Sequence, residues 1–452
     1  MSAPRQLPER TPPPAGHDHG RALRHGSRLD SYVDRYAERT LGMTASQIRS
    51  LFAVASRPEV VSLAGGMPTI ASLPLDVIGS QIEALIRDEG QTALQYGSGQ
   101  GDPRLREQII DVMRTVGIAG HPDDVVVTVG SQQALDLVTR IFVDPGDTVL
   151  VEAPSYVGAL STFRSYQAAV HHVQMDDAGL VPTALVEAIA ACEASGTRPK
   201  FLYTIPSFHN PAGVTQTAQR RVEILEIAQR ADILVIEDDP YGLLGFEDAP
   251  PRAMRADTDD GVIYLGSFSK TFAPGLRVGW ALAPHAVREK LVLAAEASVL
   301  CPPSLNQLVV SRYLEQYDWM GQVKVFRELY RDRRDAMLTA LDDHFPPGSH
   351  WTRPDGGFYV WLTLPEGLDS QAMLPRAVTD RVAYVPGTAF FADGFGARAM
   401  RLSYCFPTPE RIREGVHRLA GVVDAELDLV HTFGPGHLSG RTGLGLPAPD
   451  LT

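Results

Sequence analysis

Lys270 lies in LGSFSKTFAPGLRVGW, residues 265–280, among small residues, and follows the apolar run GVIYL. A lysine at the end of a buried strand is partly desolvated. It then loses proton affinity and becomes a nucleophilic amine, of the kind that forms Schiff bases with carbonyls. Ser267 and Arg277 add anion-binding groups to the same stretch. Gly130-Ser131-Gln132 opens a helical pattern. Free backbone N–H groups and a hydroxyl at a helix N-terminus suit phosphate, although an ordinary N-cap serine looks the same in isolation. Glu237-Asp238-Asp239-Pro240-Tyr241 offers a carboxylate and a phenol. A single carboxylate directed at a cationic ligand is favoured there over a divalent metal site, because no His or Asp cluster complements the three acids. Asn210-Pro211 is a rigid turn dipeptide, compatible with a cis peptide, that aims Asn210. His209 beside it reads as a general base or, more commonly, as a loop residue.

These residues share one kind of position. DVVVTV (124–129), DTVLVEA (147–153), AAVHHVQM (168–175), KFLYTI (200–205), ILVIEDD (233–239) and GVIYLGS (261–267) read as strands, separated by helical patterns such as SQQALDLVTRIF and TAQRRVEILEIAQRA. Strands that are apolar throughout and joined by amphipathic helices imply an α/β fold, its sheet parallel or mixed and covered on both faces. Such sheets bind ligands at the carboxyl ends of their strands, where Ser131, Asn210, Asp238 and Lys270 fall. After Trp280 the pattern is mostly helical to about residue 345. GFYVWLTL (357–364), VAYVP and AMRLSYCF then read as strands of a smaller layer, closed by the helix PERIREGVHRLAGVVDAEL. The short strand VVSLAGG, within residues 30–70, is expected to pack with that layer, which makes the small domain discontinuous.

Composition narrows the function. With 452 residues, 44% of them hydrophobic, the chain can bury a large core. A net charge of −13 without a basic block disfavours a nucleic-acid partner. The cysteines Cys192, Cys301 and Cys405 are far apart with no CxxC spacing, which fits a reducing cytosol and hence a cytoplasmic protein. No apolar run reaches the roughly 18 residues of a membrane span. The first residues, with His17, His19 and His25, lack the apolar core of a signal peptide and read as a solvated tail rather than a metal tract; no metal site is expected. GSGQG (97–101) has the wrong spacing for a dinucleotide site, and neither GxxxxGK[ST] nor GxSxG occurs.

One ligand accounts for the strand-end residues together: pyridoxal 5′-phosphate, a phosphorylated aldehyde on a protonatable ring. Its aldehyde suits Lys270 and its phosphate Ser131, Gln132, Ser267 and Arg277. Its ring nitrogen suits Asp238, its phenolic oxygen Asn210 and Tyr241, and its ring face Tyr156 of APSY. The motifs SLAGGMP, QYGSGQGDPRLRE, GSQQALDL, APSY, HNPAG, EDDPY, SFSKTFAPGLRVGW and MRLSY occur in this order. With them, residues 40–430 resemble the fold-type I pyridoxal-phosphate enzymes, and among these the class I/II aminotransferases of the aminoadipate/kynurenine type. The resemblance implies a large domain with a mostly parallel seven-stranded sheet flanked by helices, plus a smaller α+β domain. It implies the Schiff-base lysine at Lys270, with Asp238 and Tyr241 as its catalytic companions. It also implies an α-carboxylate clamp at Arg401, and an arginine in an apolar strand does need an anionic partner. Tyr96 matches a tyrosine that reaches the phosphate from a neighbouring subunit, which implies a homodimer with shared sites. Gly66 matches a backbone position near substrate, and Arg49 a residue that meets the substrate side chain in some relatives.

The expected organisation is a tail over 1–30, a small-domain segment over 31–70, a large cofactor-binding domain over 71–325, the rest of the small domain over 326–430 and a second tail over 431–452. Both tails are expected to be disordered. The expected reaction transfers an amino group from an L-amino acid to a 2-oxo acid, 2-oxoglutarate by resemblance, in a ping-pong cycle. Elimination or replacement, decarboxylation and carbon–carbon bond formation use the same cofactor and are the alternative. A non-catalytic ligand-binding protein would need a broken site, and no expected residue is missing. No winged-helix segment is seen, which disfavours the regulator branch of the family.

Overall fold

Successive side chains of the central strands point to opposite faces of the sheet, and both faces are buried. The computed structural model describes residues 32–43, 57–247 and 249–434. The strands are β1 (Val61–Ser62), β2 (Val125–Thr128), β3 (Thr148–Ala153), β4 (Ala169–Asp176), β5 (Gly179–Leu180), β6 (Phe201–Thr204), β7 (Leu234–Asp238), β8 (Val262–Ser267) and β9 (Gly279–Leu282), then β10 (His350–Trp351), β11 (Tyr359–Thr363), β12 (Val382–Ala383), β13 (Val385–Pro386) and β14 (Ala399–Ser403).

The main sheet runs β2-β9-β8-β7-β6-β3-β4-β5. β4, β3, β6, β7 and β8 are parallel neighbours. β9 is inserted antiparallel between β8 and β2. The seven-stranded, mostly parallel sheet is present, with two-residue β5 folded back on β4 as an added edge. β9 has no counterpart among the strands read from sequence, because GWAL is short and half of it is small residues.

Val149 and Val151 pack with Leu135, Val138 and Phe163 beneath the helices Ser131–Phe142 and Val157–Ser165. Leu150, Leu202 and Val235 face the other way, against Leu185 of the helix Pro182–Ala194 and Ile224 of the helix Ala218–Arg230. Burial on both faces is why these strands are continuously apolar. The helix Ala218–Arg230 begins where the Thr217 hydroxyl accepts from Arg220 N.

The smaller sheet runs β10-β11-β14-β13, and β1 pairs in parallel with β12. Leu63 N donates to Ala383 O and Ser403 N to Leu63 O, both at 2.8 Å, so the VVSLAGG segment does join the C-terminal layer. VAYVP is two short strands in different sheets, β12 and β13, with buried Tyr384 between them donating to Ser370 O. The final helix runs from Pro409 to Phe433, past the boundary expected at residue 430. Residues 1–31 and 435–452, which hold most of both expected tails, lie outside the described residues, as does Arg49. The chain divides into the units 1–42 and 43–452. In the first, Glu38–Gly42 forms a 3-10 turn.

Candidate active site

Gly66, Met67, Ser131, Tyr156, Asn210, Asp238, Tyr241, Lys270, Tyr359 and Arg401 line one cavity of about 420 Å³ at the carboxyl ends of the parallel strands. Eight of the site residues singled out from sequence therefore meet in one place.

Ser131 lines the cavity, and around it are grouped residues of types that bind an anion, Gln132, Ser267, Ser269 and Arg277, which do not themselves line it. The helix Ser131–Phe142 starts after Gly130 without a side-chain cap, so its N-terminal N–H groups face outward with the positive end of the helix dipole. Arg277 adopts a left-handed backbone conformation, φ 54° and ψ 47°. From there its Nη2 donates to Val129 O at 3.1 Å and its Nη1 to Ser269 Oγ at 3.4 Å. Ser267 Oγ donates to Ser269 Oγ at 2.8 Å. Gly130, at φ 80°, has to be glycine: a Cβ there would overlap Arg277 Nη2 and lie 2.8 Å from its Cζ. Gln132 is engaged locally, taking the Tyr156 hydroxyl at 3.1 Å and donating to Thr162 Oγ1 at 2.9 Å. Burial pushes the Tyr156 phenol up to about 12, so it stays protonated.

The acids of EDDPY separate by strand alternation. Glu237 turns away from the cavity and accepts from Met254 N and Arg255 N, both at 2.8 Å. Asp239 accepts from Gly242 N at 2.8 Å and the Tyr264 hydroxyl at 3.2 Å. Asp238 alone lines the cavity. Its Oδ2 accepts from the Tyr203 hydroxyl at 2.7 Å, and its buried Oδ1 has no partner. Burial, with a smaller push from Asp239, raises its carboxyl to about 7 against the downward pull of Tyr203. Among the described residues no group of three or more His, Cys, Asp or Glu has metal-binding geometry.

Lys270 Nζ donates to Gly66 O at 2.8 Å and has no acidic partner among the described ion pairs. Burial lowers its ammonium to about 8, and Arg401 and Arg277 push the same way while Cys405 opposes. Gly66 must lack a side chain, since a Cβ would overlap the Tyr359 hydroxyl oxygen. Arg401 on β14 is only 2% exposed. Its Nη1 donates to Asn210 Oδ1 and its Nη2 to Ala64 O, each at 2.8 Å, while Nε has no partner. Tyr359 and Phe390 cover the guanidinium, at 4.2 and 5.0 Å from their ring centroids. A buried guanidinium without a carboxylate is a site for an anion.

The peptide before Pro211 is cis. His209 is buried, with Nε2 3.0 Å from Glu152 Oε2. Burial raises the Glu152 carboxyl, but His209, Thr204 and Ile205 N outweigh it and hold it below its usual range. His209 thus pins the Asn210 loop and is not in the cavity. Tyr96 is 78% exposed and does not line the cavity. Leu73, Phe358 and Tyr359 belong to the core, and of these Tyr359 also lines the cavity. Ser269, Tyr203 and Cys405 were not assigned from sequence. Cys405 Sγ donates to Met67 O at 3.2 Å and so fastens the Gly66 loop. No local sequence signal marks Tyr203, whose partner Asp238 lies on the neighbouring strand β7.

The sequence model of the family described as aminotransferase class I and II matches residues 58–419. The chain belongs to this family. It is 42% identical over 399 residues to the aromatic-amino-acid aminotransferase 1 of Thermococcus litoralis, covering 88% of this chain and 95% of that protein. It is 38% identical to the kynurenine aminotransferase of Pyrococcus horikoshii, solved with PMP, KYN as substrates and KYA as products. That match has a TM-score of 0.85 and covers 89% of this chain and all of that one. It is 37% identical to the α-aminoadipate aminotransferase of Thermus thermophilus, solved with N-(5′-phosphopyridoxyl)-L-leucine, with a TM-score of 0.82 and coverage of 88% of this chain and all of that one. This aminotransferase has the fold-type I architecture and depends on pyridoxal 5′-phosphate.

The residues present fit that group. The unpartnered Asp238 Oδ1 matches a protonated ring nitrogen. The uncapped helix start with Arg277, Ser267 and Ser269 matches a phosphate. The Lys270 amine, with its lowered proton affinity, matches an aldehyde.

Proposed function

We propose that this aminotransferase moves the amino group of an L-amino acid with an aromatic or long apolar side chain to 2-oxoglutarate in two half-reactions. The observation that carries the reading is the convergence of Lys270, Asp238 and the carboxylate-free Arg401 on one cavity. When bound, the cofactor supplies an aldehyde that takes up the amino group and a pyridinium ring that accepts the electron pair of the broken Cα–H bond. Ser131, Gln132, Ser267, Ser269 and Arg277 hold its phosphate. Asp238 holds the ring nitrogen, Asn210 and Tyr241 the phenolic oxygen, and Tyr156 a ring face. Arg401, steadied by Asn210, clamps the substrate α-carboxylate. Lys270 takes the α-proton and returns it, a task suited to an amine poised near pH 8. Gly66 gives its carbonyl to Lys270 and leaves room for substrate. The side-chain preference is supported by the uncharged cavity wall of Met67, Val157, Gly158, Ser161 and Ile205, and by the names of the relatives.

The same reading treats residues 71–325 as the cofactor domain, and 31–70 with 326–430 as the small domain. It takes the protein to be a homodimer in which Tyr96 completes the partner's phosphate site. Exposed Leu94, Tyr96 and Leu300 support that, since Ser304 Oγ donates to Gln95 O at 3.0 Å and brings these segments together. The cytoplasmic reading rests on three free cysteines; no helix among the described residues is long and apolar enough to cross a membrane. A panel of amino-acid donors with 2-oxoglutarate, assayed for glutamate, tests the proposal. Aromatic donors are expected to give the most glutamate. No glutamate from any donor, with ammonia or carbon dioxide released from the amino acid instead, would overturn it.

A further inference from the structure

Tyr203 is fully buried on β6, one strand from Asp238. In the parallel register Tyr203 pairs with Ile236, so Asp238 stands two residues further along β7 on the same face. The Tyr203 ring is held edge-on against Phe163, with centroids 5.6 Å apart and an interplanar angle of 75°. Packing therefore fixes the phenol, and its hydroxyl spans the remaining 2.7 Å to Asp238 Oδ2.

We propose that Tyr203 is a positioning residue of the cofactor site, binding one oxygen of Asp238 so that the other is presented to the ring nitrogen. The inference rests on the role given above to Asp238. Tyr203 cannot compete as an anion, because burial, with Asp238 itself adding to it, raises its phenol far above the ordinary range. It therefore donates to the ionised carboxylate. The remaining titratable groups facing Asp238 do not replace it. Asp239, next along β7, is occupied by Gly242 N and Tyr264 of β8. Tyr156, before the helix Val157–Ser165, gives its hydroxyl to Gln132. Without the Tyr203 hydroxyl, burial and Asp239 act on Asp238 unopposed by any side-chain donor. The carboxyl then holds its proton to higher pH and presents its anion to the ring nitrogen less readily.

The test is titration of the apo-protein with pyridoxal 5′-phosphate, followed by fluorescence between pH 6.5 and 9, for wild type, Tyr203→Phe, Asp238→Asn and the double variant. Tyr203→Phe keeps the packing shape. It is expected to weaken cofactor binding roughly tenfold at pH 7, the cost of one hydrogen bond to a charged group, with recovery toward pH 9. In the Asp238→Asn background the same change is expected to have no effect. An unchanged affinity, or a loss equal in both backgrounds and at every pH, overturns the proposal and leaves Tyr203 a packing residue. If Asp238→Asn alone leaves affinity unchanged, it is the role of Asp238 that fails, which separates the two readings.

Discussion

Replacing Gly130 by alanine strikes the phosphate wall through backbone and side chain together. Gly130 sits at φ 80° and ψ 163°, a region that only glycine occupies freely, and holding a side chain there costs about 1–3 kcal/mol. The new Cβ also overlaps Arg277 Nη2 and lies 2.8 Å from Cζ, so the guanidinium has to leave Val129 O and Ser269 Oγ. The cofactor phosphate then loses a charge-assisted contact, about 1.5–3 kcal/mol or roughly ten- to a hundredfold in affinity. The backbone cost falls on apo- and holo-protein alike, whereas the lost contact falls only on the holo form. Thermal melts with and without cofactor separate them. The apo melting temperature drops, and the extra stabilisation by cofactor at a fixed concentration shrinks by about 1.4 kcal/mol per tenfold loss of affinity. Gly275→Ala is the control, because its Cβ meets nothing within 4 Å and its φ is not positive. A Gly130→Ala protein that binds cofactor like wild type would refute the assignment of this wall to the phosphate.

Lys270→Ala is expected to retain cofactor non-covalently and to lose turnover by several orders of magnitude. Borohydride reduction followed by mass spectrometry should attach cofactor to wild type alone, and attachment to the variant would place the nucleophile elsewhere. Arg401→Lys keeps the charge but loses the fork that reaches both Asn210 Oδ1 and Ala64 O; kcat/KM for amino acids should fall roughly a hundredfold, chiefly through KM, and an unchanged KM would argue against the clamp. In the apo-protein Asp238 is raised to about 7, so its contribution to stability is complete below the unfolded carboxylate range near pH 4 and is lost as pH rises through 7. The difference in melting temperature between wild type and Asp238→Asn should therefore move against wild type from pH 5 to 7.5, and a flat difference would contradict it. Mixing Lys270→Ala with Tyr96→Ala subunits should restore part of the activity through hybrid dimers that hold one intact site. No recovery after verified subunit exchange would speak against shared sites.

The strand ends were legible because parallel strands buried on both faces leave unbroken apolar runs, and Ser131, Asn210, Asp238 and Lys270 each follow one. β9 was not, since Gly279-Trp280-Ala281-Leu282 gains its strand character only from β8 and β2 on either side. EDDPY shows the limit of residue type. Three acids in a row suggest a cluster, yet alternation sends Glu237 to cap Met254–Asp257 and leaves only Asp238 in the cavity. Tyr203 and Cys405 act through partners 35 and 338 residues away, Asp238 and Met67, and Ser269 acts through a turn that brings Ser267 and Arg277 to it; no local pattern marks such pairings. The carbonyl that receives Lys270 belongs to Gly66, 204 residues away.

The β1–β12 pairing has a consequence for biosynthesis. A chain emerging from the ribosome displays Val61–Leu63 long before Val382–Ala383 and Ser403 exist to bind it. Asp238 and Lys270 follow strands of the central sheet, β7 and β8, whereas Arg401, the proposed substrate clamp, is translated later on β14. Leu63, Ala64 and Met67 receive Ser403, Arg401 and Cys405 only near the end of synthesis. A chain that stops short of β14 therefore lacks Arg401 and, on the proposed roles, has no clamp for a substrate carboxylate.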